Sequence, residues 1–353
     1  MGIARMRTAA LAALMVPLLV TGCAGGGGNT SPTPTADSAS DSDLKALIDA
    51  AKSEGSLLVY GSWADGPLQE MVKAFGAEYG INASFVRLNS AGMAQRAQAE
   101  FDANAVQADI LWASDSVFFK HAATQGITIP LEDAEIPSLA NVPVEYRIDD
   151  NTVVSAVGSG VAIYNTDLIS DPPTEWADLL DPALKGKIVM VDPRTSATYL
   201  NTWNAVYEDP KLGPKFLEAF AAQGYAQVAD SSVSGAQLVA AGEGVIAVPL
   251  VQNVVKTLTD QGAPVDSWTF ANPSPALFMY IAATAGSQHP NAAKLFVNWV
   301  MTEKGSTVVN RAGMMSSPLG DLPGVSPMSA GTVPPNDAAA KANASKILKL
   351  LGF

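Results

Sequence analysis

Apolar side chains recur along this chain in two alternating rhythms, helical spacings of three to four residues and short continuous runs. Leu44, Leu47, Ile48 and Ala51 lie one helical turn apart, and Gly55 closes that pattern. Ser56–Tyr60 then reads as a strand, and Leu68, Met71, Val72 and Phe75 mark one face of a helix over Pro67–Tyr79. A strand at Ala83–Arg87, a helix at Met93–Ala103 and a buried strand in "ADILWAS" continue the alternation. That order predicts an α/β fold, with mixed, mostly parallel sheets flanked by helices on both faces. Ligands of such sheets sit beyond the carboxyl ends of the strands, at helix N-termini. The loops at 61–65, 89–92 and 113–116 are therefore where function is expected.

A second region opens at "TVVSAVGSGVAIYNTDLI", Thr152 to Ile169. Lys187–Val191 reads as a strand, Asp192–Thr198 as a polar turn, and a helix begins near Ser196. Helices at Phe216–Gln223 and from Ser234, and a strand at Val245–Leu250, follow. "SPALFMYIAATA" is a strand leading to helices Asn291–Val300 and Glu303–Asn310. A closing helix ends the chain, with Ala342, Ile347, Leu348, Leu350 and Leu351 as its expected buried contacts. No repeat of solenoid period is visible.

The first 23 residues break this pattern. Arg5 and Arg7 precede an apolar run, Ala9 to Val20, which ends on the chain's single Cys, Cys23. A basic start, an apolar core and small residues before a cleavage point make a secretory signal, residues 1–22. Val20-Thr21-Gly22-Cys23 resembles a bacterial lipobox, which implies that Cys23 carries lipid and becomes the mature N-terminus. The alternative is an ordinary signal peptide that contains a Cys, against which stands a lone thiol with no disulfide partner outside the cell. Residues 23–43 are rich in Gly, Ser, Thr, Pro and Asp and read as a flexible tether. The body is thus expected outside the cytoplasm, lipid-anchored at the outer face of the cell membrane. With 34 acidic against 21 basic residues, two of the latter in the leader, no basic stripe exists to bind nucleic acid. A local pocket on an acidic protein can still be positive.

Several segments in order resemble a known family. They are the leader with its Cys, the tether, "LLVYGSW…LQEMVKAF", "ADILWASD", "VGSGVAIYNTDLI…PPTEWADLLDPALKGKIVMVDP" and "HPNAAKLFVNWVMTEKGSTVVN". Together, from about Leu57 to Asn310, they resemble the extracellular solute-binding lipoproteins of ABC importers, of the type II periplasmic-binding fold. The nearest branch includes ferric-iron, thiamine, phosphonate and sugar-phosphate binders. The resemblance implies two lobes joined by a hinge and closing on a small-molecule ligand, a permease as partner, a monomer, no cofactor and no enzymatic activity. It divides the body into lobe one, residues 44–155 plus 276–315, lobe two, 156–275, and a C-terminal loop and closing helix, 316–353. Gly158, Gly160, Pro273 and Pro275 flank the two implied crossings; as glycines, the first two also suit an ordinary tight turn.

Four polar turns are expected to face the cleft. In "LVYGSWADG" these are Ser62 and Trp63, with Trp63 either a wall over the ligand or a core residue, and Asp65 facing solvent or the helix start. The second turn offers Ser90, with Arg96 one helical turn on, either an anion contact, as the iron-binding relatives imply, or a surface charge. The third offers Ser114 and Asp115, the latter also a natural helix N-cap. In "DPRTSAT", Arg194 supplies a fork of donors for carboxylate or phosphate, with Thr195, Ser196 and Thr198 adding hydroxyls. Its alternative is a capped helix with an exposed Arg. Ser232, Gln252 and Asn253 complete the expected ligand set. The expected solute is a small organic anion, a carboxylate, phosphonate or phosphate.

Ferric iron and a polyamine are the alternative ligands. The iron-binding relatives place adjacent tyrosines after a strand where this chain reads "GEGVIAVPLVQNVV", without any Tyr. His121 and His289 are too few for a histidine site, and Tyr164 and Tyr199 would have to converge from afar, so no metal site is expected. An extracellular hydrolase is a further alternative, but neither G-x-S-x-G nor H-E-x-x-H occurs.

Overall fold

The computed structural model describes residues 36–131 and 136–353; side chains at 36–41 and at Asn253 lie outside that description. Cys23, the leader and the tether up to residue 35 also lie outside it. The first half runs α1 (Ala36–Glu54), β1 (Ser56–Gly61), α2 (Asp65–Tyr79), β2 (Asn82–Arg87), α3 (Ser90–Asp102), β3 (Ile110–Ala113), α4 (Ser116–Gln125), β4 (Arg147–Asp149) and β5 (Thr152–Asn165). It continues with β6 (Ile188–Val191), α5 (Ala197–Glu208), α6 (Gly213–Ala222), β7 (Tyr225–Ala229), α7 (Ser232–Ala240), β8 (Ile246–Val251), α8 (Gln252–Asp260), β9 (Val265–Thr269) and β10 (Ser274–Ala283). The chain ends with α9 (Pro290–Val300), α10 (Glu303–Gly313), β11 (Thr332–Val333) and α11 (Asp337–Leu350).

Strand order is β2-β1-β3-β10-β5-β8-β6-β7. The β1–β2, β1–β3, β6–β7 and β6–β8 pairs are parallel, whereas β5 and β10 run antiparallel to their neighbours in this order; the short β11 pairs with β10 in parallel. The long strand β5 belongs to both halves. Its residues Val153 to Ser159 pair with β10, and Gly160 to Tyr164 pair with β8. Gly158 and Gly160 therefore sit inside a strand rather than in a turn. A Cβ at Gly160 would lie 3.2 Å from the Pro275 carbonyl oxygen, and one at Gly158 3.2 Å from Met315 Cε, so both allow close approach.

Each half buries its own apolar faces. Leu68, Met71, Val72 and Phe75 of α2 pack with Trp112 and with Phe296 and Trp299 of α9. In the other half Trp176, Trp203, Phe220 and Phe270 form the corresponding core, with Trp176 stacked 3.7 Å from Phe270. The terminal helix α11 joins this second core through Ile347 and Leu351, while Ala340, not Ala342, is its buried alanine. Asp337 at its start accepts hydrogen bonds from Ser116 Oγ of α4 and from Asn201 Nδ2 of α5, tying the two halves together. Residues 36–43, expected as tether, are helical: α1 begins at Ala36. Among the described residues no helix is long and apolar enough to cross a membrane.

Candidate functional site

Strands β1, β2, β3, β6, β7 and β8 each run directly into a turn that starts a helix, and these turns converge. Four of the helix starts are capped by their own side chains. Asn89 Oδ1 accepts from Gly92 N at 2.7 Å, Asp115 Oδ1 from Phe118 N at 3.0 Å, Ser196 Oγ from Thr198 N at 3.2 Å and Ser231 Oγ from Ser234 N at 3.2 Å. The starts of α2 and α8, after Ala64 and Val251, have no side-chain cap. A cavity of about 450 Å³ lies among these turns. On one side it is lined by Ser62, Trp63, Ser90, Ser114 and Asp115, and on the other by Thr195, Ser196, Thr198, Tyr199, Asp230 and Ser231. Val251, Leu277, Met279 and Met315 give it apolar surface. Helix N-termini carry partial positive charge, so their convergence favours an anion.

Eight of the residues expected from the sequence line this cavity: Ser62, Trp63, Ser90, Ser114, Asp115, Thr195, Ser196 and Thr198. Trp63 is at once core and lining. It is 1 % exposed and meets Trp112 edge-on at 5.2 Å, and its Nε1 has no hydrogen-bond partner. Ser90 Oγ and Ser114 Oγ lie 3.3 Å apart.

The two arginines expected as anion contacts do not line it. Asp192, two residues before Arg194, accepts from Arg194 Nε and Nη2 at 2.9 and 2.7 Å, and the guanidinium stacks 4.7 Å over the Phe353 ring. The Arg194 hydrogen bonds hold the Asp192 carboxyl below the usual carboxylate range. Arg96 donates to Glu100 at 2.8 Å one helical turn on and lies 4.5 Å over the Tyr60 ring. Both take the surface-charge alternative. Ser232 is buried and bonded to Tyr199 OH at 2.8 Å, and Gln252 lines no part of the cavity. The Asn253 side chain lies outside the described residues. Because its donors already face Asp192, Arg194→Ala is expected to leave anion affinity within about twofold of wild type by calorimetry, the small effect of an exposed pair.

The cation that does reach the cavity is Arg87, the last residue of β2, which pairs with Gly61 immediately before Ser62. Its guanidinium makes no hydrogen bond or ion pair among the described residues, and the two carboxylates that line this cavity with it, Asp115 and Asp230, are engaged elsewhere. Asp230, for instance, accepts from the Ser234 and Ser231 hydroxyls, and these bonds lower its pKa. The sequence did carry a signal for Arg87: it ends a strand, directly before the turn containing Ser90. Tyr199 is the cavity's only tyrosine among the described residues; Tyr164 instead reaches Asp266 at 3.4 Å.

A family model described as bacterial extracellular solute-binding protein matches residues 107–344. An uncharacterized protein of Haemophilus influenzae is 25% identical over 282 residues, 76% of this chain and 79% of that protein. Iron-bound HitA from Pseudomonas aeruginosa superposes with a TM-score of 0.65 at 22% identity, covering 84% of this chain and 99% of that one. The periplasmic binding protein AfuA from Actinobacillus pleuropneumoniae, with fructose-6-phosphate bound, gives 0.61 at 20% identity, over 84% and 96% of the two chains. At these identities the structures establish a shared two-lobed fold, while the family match spans most of the chain. The chain belongs to the bacterial extracellular solute-binding proteins, the substrate-binding components of ABC importers.

Proposed function

We propose that this protein captures a small organic anion, a carboxylate, phosphonate or phosphate, between its two lobes and hands it to a membrane permease. The observation that carries this reading is the Arg87 guanidinium, unpaired among the described residues, beside a cavity ringed by helix N-termini. Ser62, Trp63, Ser90, Ser114 and Arg87 approach the solute from lobe one, and Thr195, Ser196 and Thr198 from lobe two. A ligand touching both lobes favours the closed arrangement by its differential contacts. Fructose-6-phosphate in AfuA is an anion of the same chemical kind.

The remaining parts of the reading follow from the sequence. Cys23 carries the lipid that holds a monomeric body at the outer face of the membrane, and the body binds without catalysing. A thermal-shift screen of the purified protein against carboxylates, phosphonates, sugar phosphates, ferric iron and polyamines tests it. Stabilisation by organic anions is expected, since a ligand that binds only the folded state raises its unfolding temperature. Hits confined to iron or to polyamines would remove the anion reading.

A further inference from the structure

The cavity around Ser62 is only the inner part of the cleft. A second chamber, of about 690 Å³, adjoins it, and Arg87 lines both. Among its charged and polar lining residues, the outer chamber carries apolar side chains on both walls. Pro67, Ala312 and Met314 face it from one lobe, and Val233, Val254 and Leu258 from the other. Val233, in the first turn of α7, is 48 % exposed, one of few large apolar side chains left so open. A purely polar solute held in the inner cavity would leave both walls in water. An apolar group between them would remove both from water at once.

Charge in the outer chamber is also ordered. Lys256 pairs with Asp260 at 2.7 Å, and Arg311 with Glu70 at 3.6 Å. That leaves Asp65 as a lining carboxylate with no charged partner among the described residues, while Arg87 stands at the junction with the inner cavity. A second anionic group on the solute would meet Asp65 and Glu70 there.

Resting on the anion reading above, we infer that the solute is an anion bearing an uncharged apolar arm: the head lies in the inner cavity against Arg87, and the arm fills the outer chamber. Calorimetry on the whole protein with methyl-, butyl- and octylphosphonate, and with the matching alkyl carboxylates, tests this. Affinity is expected to rise with chain length, by up to about fourfold for each methylene buried. A carboxylate at the far end of the octyl chain is expected to cancel most of that gain. Val233→Asn and Val254→Thr, which make one wall polar at an exposed and at an isosteric position, are expected to flatten the dependence on length. Equal affinity for the methyl and octyl compounds would overturn the arm while leaving the anion site standing. A length dependence untouched by both substitutions would do the same. If no member of either series binds, the anion reading itself fails, and the arm with it.

Discussion

Replacing Arg87 with alanine is expected to weaken the binding of an organic anion by about tenfold to a hundredfold, the range of one charge-assisted, fork-shaped contact. The ligand-free protein should scarcely notice. The side chain is exposed and its guanidinium touches no hydrogen-bonding partner among the described residues, so its removal breaks nothing in the fold. Loss of affinity with an unchanged unfolding temperature would separate a binding role from a structural one. Arg87→Lys keeps the charge but loses the planar fork, and is expected to recover only part of the affinity. The residual affinity of Arg87→Ala should also depend less on ionic strength, because a partly exposed cation's contribution is screened by salt. Affinity within twofold of wild type would shift the burden of recognition to the helix N-termini and hydroxyls, and Arg87 would leave the site.

How much of this was legible beforehand depends on the kind of signal. Strand β1 with helix α2, and strand β3 with its Trp112, were readable because an apolar run and a helical stripe stand side by side. Strand β10 was readable from its continuous apolar run, whereas β5 was read only as the opening of a second region, because Ser155, Gly158, Ser159 and Gly160 interrupt its apolar residues. Strands β7 and β9 were not readable. Their side chains are mostly half-buried or exposed, so neither a continuous apolar run nor a clean alternation marks them. Helix α8 was missed because its start reads as the tail of a strand, "VPLVQN", and Val251 gives it no capping side chain. The first turns of α1 were lost differently. Ser and Asp compete for backbone hydrogen bonds, and a run of them with Ala reads as linker whatever the chain then does.

The site followed the same logic. Turns were placed well, since a strand's carboxyl end followed by small hydroxyl residues is a local signal. Which arginine serves the cavity is not local. Arg194 sits in the most anion-like turn of the sequence, yet Asp192 two residues earlier accepts both its backbone and side-chain donors. Arg96 finds Glu100 at helical spacing in the same way. Arg87 has no acid within helical or turn reach, and in the structure it lines the cavity with no partner among the described residues. Counting each arginine's nearest acids along the sequence separates the two paired arginines from the one that lines the cavity.

The packing beneath the cavity leads to the second large effect. A Cβ on Gly313 would lie 2.4 Å from Trp63 Cζ3 and 3.1 Å from Cη2, so Gly313→Ala cannot be accommodated without moving the indole. Alanine ordinarily gains on glycine by up to about 1 kcal/mol inside a helix, but Gly313 is the last residue of α10, where that gain is smaller. Against it stands overpacking, which costs about 1–3 kcal/mol in a filled core. Trp63 has little room to retreat, being buried and held edge-on against Trp112, which is itself fixed by its Nε1 donating to Ser155 Oγ at 2.7 Å. The sum is destabilising, and denaturant titration should show a loss of about 1–2 kcal/mol. Because the displaced ring is part of the cavity lining, anion affinity should fall as well. Trp63→Phe provides the control. It removes the colliding ring atoms together with an indole N–H that has no partner, so its own cost is moderated. Combined with Gly313→Ala, the pair should be more stable than the sum of the single losses predicts, with a coupling of about 1 kcal/mol or more. Strict additivity would mean that α10, rather than Trp63, yields to the new methyl group, and the cavity lining would then be untouched.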